Sequence, residues 1–89
     1  MKYYLVVKKH DNVVLLTGKG RAYNRYHLYN SLREIVEWYG GDSDAYEFRD
    51  RKKEIVDKIA EKWEETYRKG TSEFNIELPN IIVNVTFHF

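Results

Sequence analysis

The chain has 89 residues, 43% apolar and 33% charged, with no cysteine and a net charge of +1. That length suits one modest core and a single domain over residues 1–89, and the composition is that of a folded chain rather than a disordered one. The lack of cysteine excludes disulfides, a thiolate nucleophile and every cysteine-based zinc site. Aromatic residues reach 16%, and eight of them are Tyr, a side chain that suits half-buried and binding positions.

Residues 3–9 are β-branched and aromatic, and His10-Asp11-Asn12 is a turn signal. Residues 13–17 resume the strand pattern, so the segment predicts a β-hairpin, ended by Gly18-Lys19-Gly20. Near Asn24 the pattern turns helical. Leu28, Leu32, Ile35, Val36 and Tyr39 share one face, and Gly40-Gly41 stops the helix. Asp44 and Glu47 have capping-box spacing for a second helix, whose apolar stripe is Phe48, Ile55, Ile59, Trp63 and Tyr67. Glu54–Lys58, Glu64–Arg68 and Glu65–Lys69 are i,i+4 pairs on its charged face. Unbroken, this helix is longer than the strands. It therefore projects at one end or kinks near residues 49–51, where the stripe is thinnest.

Phe74, Ile76 and Leu78 alternate with polar residues. Ile81, Val83, Val85, Phe87 and Phe89 alternate with Ile82, Asn84, Thr86 and His88 beyond Pro79-Asn80. This period of two predicts a second hairpin, its last strand central and its first at an edge. The expected fold is α+β, ββααββ: a four-stranded antiparallel sheet with two helices on one face.

Charge is unevenly placed. Residues 1–33 carry seven cations and one acid, net +6; residues 34–89 carry eight and thirteen, net −5. Such a chain can present one basic and one acidic face. Residues 17–33 hold Lys19, Arg21, Arg25 and Arg33 with Tyr23, Tyr26, His27 and Tyr29, and no acid. Read as a glycine-rich loop entering a helix, this segment offers backbone N–H groups and cations to an anion, and rings to a base. It suits nucleic acid, a nucleotide or an acidic protein surface. It lacks the third glycine of the dinucleotide fingerprint and the spacing of the P-loop.

A second candidate protein-binding surface is the acidic helix face of Asp50, Glu54, Asp57, Glu61 and Glu65, together with Trp38. His10, His27 and His88 have no local metal-ligand spacing. Ser31, Ser43 and Ser72 have no adjacent base. No cofactor or enzymatic activity is expected. No apolar run approaches the ~20 residues of a membrane helix, and no secretion signal is evident, so an intracellular, cytoplasmic setting is expected. In that setting Asn84-Val85-Thr86 is an accidental glycosylation pattern.

Shortness, the missing cysteines, strand–helix–strand order, abundant tyrosine and polarised charge resemble the small orphan proteins of phages and archaeal viruses, anti-CRISPR proteins among them. The resemblance covers the character of the whole chain and rests on no motif. It implies a non-enzymatic inhibitor in the host cytoplasm that docks on a host protein or nucleoprotein complex and blocks nucleic-acid access or assembly. A homodimer is compatible with this reading. Direct nucleic-acid or nucleotide binding through residues 17–33 is the alternative.

Overall fold

A computed structural model of the chain describes residues 1–39, 46–66 and 70–88; of residues 36–39 only the backbone is described. The order is β1 (Lys2–Lys9), β2 (Val14–Arg21), α1 (Arg25–Tyr39), α2 (Tyr46–Asp50), α3 (Lys52–Thr66), β3 (Thr71–Glu77) and β4 (Ile81–His88). The strands form one antiparallel sheet in the order β2-β1-β4-β3. β1 and β4 are therefore central, and β2 and β3 are the edges.

Local chemistry sets the turns. Asn12 takes the left-handed conformation (φ 72°), and Asp11 Oδ1 accepts the Val13 N–H at 3.2 Å, which closes the β1–β2 turn. Asn24 caps α1, its Oδ1 accepting the His27 N–H at 2.9 Å. Of the two alternatives for the long helix, the structure has a break at residue 51: α2 ends at Asp50 and α3 starts at Lys52, with the Arg51 N–H still donating to the Glu47 carbonyl at 3.0 Å. The residues proposed to stop α1 (Gly40-Gly41), the Asp44 cap, and the cations of the Glu64–Arg68 and Glu65–Lys69 pairs lie outside the described residues, as do Tyr67 and Phe89. Among the described residues Glu64 reaches Arg25 at 3.0 Å, Glu65 reaches Lys62 at 3.1 Å, and Glu54–Lys58 forms as expected.

One strand boundary differs from expectation. Gly18-Lys19-Gly20 does not end the hairpin; β2 runs through it to Arg21. Gly20 pairs with Tyr3, and Gly18 with Leu5. A Cβ on Gly20 would lie 2.5 Å from the Tyr3 hydroxyl oxygen, and one on Gly18 would lie 3.0 Å from Ile35 Cγ2. Both glycines therefore face the helices and make room for a ring and for α1. Their role is steric, not that of chain breakers.

Inward-facing residues of the sheet, Tyr3, Leu5, Val7, Ile76, Val83, Val85 and Phe87, join Leu28, Leu32, Phe48, Ile55, Ile59 and Trp63 in one buried cluster. Among the described residues the helical cover lies on that face, as the one-sided burial of alternating residues in β1 and β4 shows. Trp63 meets Phe87 edge-on, with centroids 6.1 Å apart. The Tyr3 hydroxyl hydrogen-bonds Ser31 of α1. At the far end, the Asn80 N–H donates to Glu47 at 3.0 Å, and His10 Nε2 pairs with the Leu78 carbonyl at 2.9 Å. These contacts hold the β3–β4 turn.

Three stability outcomes follow from this packing. Gly20→Ala should cost about 1–3 kcal/mol by overpacking Tyr3, while Lys19→Ala on the other face should stay within about 0.5 kcal/mol. Equal shifts in denaturant midpoint would contradict the alternation. Trp63→Ala should cost about 3–5 kcal/mol, and a change below about 1 kcal/mol would mean the stripe does not face the sheet. The third outcome is a pH effect. Burial pushes the Tyr3 phenol above its ordinary range, against the lowering effect of the Ser31 hydrogen bond, with Glu34 adding to the rise. The unfolded phenol therefore ionises first. Stability from this group is complete below about pH 10 and is lost as pH rises through the folded value. Tyr3→Phe should flatten the alkaline fall in unfolding free energy, measured by urea titration across that range.

Candidate functional site on the open face of the sheet

The sheet face away from the helices has no cover among the described residues. Pairing fixes what it displays. Arg21, Lys2, His88 and Thr71 lie side by side across the four strands, and the next row is Lys19, Tyr4, Thr86 and Glu73. Thr17, Val6, Asn84 and Asn75 follow, and Lys8, Ile82 and Glu77 continue across β1, β4 and β3. Charge is thus sorted by strand: cations on β2 and β1, neutral residues and His88 on β4, acids on β3.

The two sides differ in their internal bonding. Asn84 Nδ2 donates to Glu73 at 3.1 Å and to Asn75 at 2.8 Å. Thr71 and His88 are in contact at 3.3 Å. The amide of the Asn-Val-Thr pattern is therefore engaged on this face. Lys2, Lys19 and Arg21 are exposed, and no hydrogen bond or ion pair among the described residues engages their side chains. Together with Tyr4 and His88 they line a shallow groove of about 530 Å³. A second groove of about 390 Å³ shares Lys2, Arg21 and His88 and ends at Tyr23. Tyr4 is 43% exposed and Tyr23 83%.

The candidate segment 17–33 is therefore distributed rather than gathered. Lys19 and Arg21 are on the open face. Because they stand on a strand, no glycine-rich loop of backbone N–H groups leads into α1, and that part of the expectation is corrected. Tyr23, Arg25 and Tyr26 surround the start of α1, where Tyr23 meets His27 edge-on at 5.8 Å and Arg25 pairs with Glu64. Arg33 lies farther along α1, beside Tyr29, Lys52 and Lys53 in a cleft of about 200 Å³. Arg33 and Lys52 are already engaged by other groups. The sequence candidates did not include Lys2, Tyr4 and His88. Their signal was the alternation Lys2-Tyr4-Val6-Lys8 against buried Tyr3, Leu5 and Val7.

Asp50, Glu54, Asp57 and Glu61 share a surface with Arg51, Lys53 and Lys58. Hydrogen bonds from Lys58 and Arg51 hold the Glu54 carboxyl below the usual carboxylate range. This face is a mosaic of both signs. The side chain of Trp38 lies outside the described residues.

Among the described residues no Asp, Glu, His, Lys or Arg side chain is buried. Nor do three or more of their His, Asp or Glu side chains converge in a way that would hold a metal ion. No helix among them is long and apolar enough to cross a membrane.

Against protein-family models, curated proteins and solved structures, the chain finds no match.

Proposed function

We propose that this domain acts by binding, without catalysis, and that its contact surface is the β1–β2 half of the open sheet face, which engages a polyanionic partner. The observation that carries the reading is the group Lys2, Lys19 and Arg21: three exposed cations on adjacent strands with no intramolecular counter-charge among the described residues. Cations grouped without acids gain most from a partner that brings phosphates or carboxylates. Seated on a nucleoprotein complex, the domain would work by occupancy, covering surface that the complex needs for assembly or nucleic-acid access. The resemblance to phage and archaeal-virus inhibitors supports that setting.

The test is charge reversal at Lys19→Glu and Arg21→Glu together, with binding to heparin and to a short oligonucleotide measured over a range of salt. The parent should bind both, more weakly as salt rises. For a single strand, the double variant should flatten the salt dependence of log K by roughly 0.7 for each phosphate that is no longer neutralised. Its unfolding free energy should move by no more than about 0.5 kcal/mol, since both side chains are exposed. Unchanged affinity and slope for both polyanions would remove this half of the sheet as the site.

A further inference from the structure

We infer that the polyanion is a single-stranded nucleic acid, with one base stacked on Tyr4, a second base farther along the strand on Tyr23, and the sugar-phosphate backbone running past them held by Lys2, Lys19 and Arg21. This rests on the polyanion reading and adds the chemistry of the partner. The argument begins with the rings. Two exposed tyrosines flank the shared Lys2–Arg21 wall of two adjoining grooves, Tyr4 in one and Tyr23 in the other. A carboxylate-bearing protein needs the cations alone. A strand of nucleotides alternates charge with flat apolar faces, and it is the partner that uses rings and cations in alternation.

Spacing supports the same partner. Lys19 and Arg21 stand two residues apart on one face of β2, roughly 6.7 Å along the strand, a step comparable to an extended nucleotide. Tyr4 lies directly across from Lys19, and Lys2 across from Arg21. Each cation of β2 therefore has a ring or a second cation beside it on β1.

Width argues against a duplex. The acid column of β3, Glu73 and Glu77, begins two strand spacings from β1, about 10 Å away. A single strand lying along β1 and β2 avoids it. A duplex laid on the same cations brings further phosphates over Glu73 and Glu77. The described face also offers no free helix or isolated two-stranded ribbon of the kind that enters a major groove. The acids thus act as a rail that confines a strand to the basic half.

The experiment measures binding of labelled oligo-dT, about eight nucleotides long and within the range of single-strand sites. It is compared with an abasic phosphodiester of equal length, the matching duplex, and poly-glutamate. Tyr4→Leu should weaken oligo-dT binding roughly 5- to 150-fold, the value of one base–ring stack, and leave the abasic oligomer unchanged. Tyr4→Phe, which keeps the ring, should bind like the parent. Tyr23→Leu should repeat the pattern of Tyr4→Leu. Thermal unfolding of each variant should match the parent, because both rings are exposed. If the abasic oligomer binds as tightly as oligo-dT, or Tyr4→Leu weakens the two equally, bases are not stacked and the inference fails while the polyanion reading stands. Tighter binding of the duplex or of poly-glutamate also overturns it. Indifference of every polyanion to Lys19→Glu with Arg21→Glu overturns the polyanion reading itself.

Discussion

The ring of Tyr3 lies where the side chain of residue 20 would be, and most of the molecule follows from that overlap. Tyr3 belongs to a central strand, points toward the helices and is 2% exposed. Its hydroxyl reaches Ser31 on α1. Only glycine on the neighbouring strand leaves room for the ring, and one step along, Gly18 leaves room for Ile35 of the same helix. Helix α1 therefore settles close against β2. The parity of the strand is also fixed: with residues 18 and 20 facing in, Lys19 and Arg21 must face out. A slip of one residue would bury two cations and expose the glycine face. The basic half of the open face is thus a consequence of how the core is packed.

The open face keeps its charges apart. The central columns carry half-buried Val6, Ile82, Asn84 and Thr86, which separate cations on β1 and β2 from acids on β3. The separation is about 10 Å, close to the Debye length of roughly 8 Å at physiological salt. The two halves therefore neutralise each other only weakly, and each offers its own field to a partner. Asn84 orders Glu73 by a hydrogen bond without cancelling its charge. On α3 the opposite holds. Glu54 sits between Arg51 and Lys58, at 3.2 and 3.1 Å, and cations and acids alternate along the exposed face. That surface is balanced locally, so the acidic excess of residues 34–89 does not concentrate there.

Elements governed by local periodicity were legible in the sequence. The alternation of Phe74, Ile76 and then Ile81, Val83, Val85 and Phe87 gives the β3–β4 hairpin. The stripe through Phe48, Ile55, Ile59 and Trp63 gives the buried face of α2 and α3, and its thin stretch marks where a break is one of two alternatives. The glycine-rich segment was not legible, because glycine reads locally as a breaker, whereas here its purpose is set by a ring that lies 17 residues earlier in the chain. Reading it as a loop moved Lys19 and Arg21 off the sheet and left Lys2 and Tyr4 out of the site. The charge excess of residues 1–33 was visible as a sum. Its division among the open face, the start of α1 and the cleft beside Lys52 depends on strand pairing, which no local pattern states.

Placing the cations on strands changes what the site can do. A glycine-rich loop would offer backbone N–H groups but would have to be ordered on binding, at a cost of about 1–2 kcal/mol for each residue fixed. On β1 and β2 the backbone is already held by the ladder, and only the side chains lose freedom. The exchange favours a partner met by side chains, phosphate by phosphate, over an anion cradled by main chain. Three cations alone make a weak and strongly salt-dependent grip. Affinity that survives physiological salt needs an uncharged contribution from the same surface. Tyr4 and Tyr23 are the exposed apolar groups beside those cations, so the strength of the site depends on whether a partner brings something flat to lay against them.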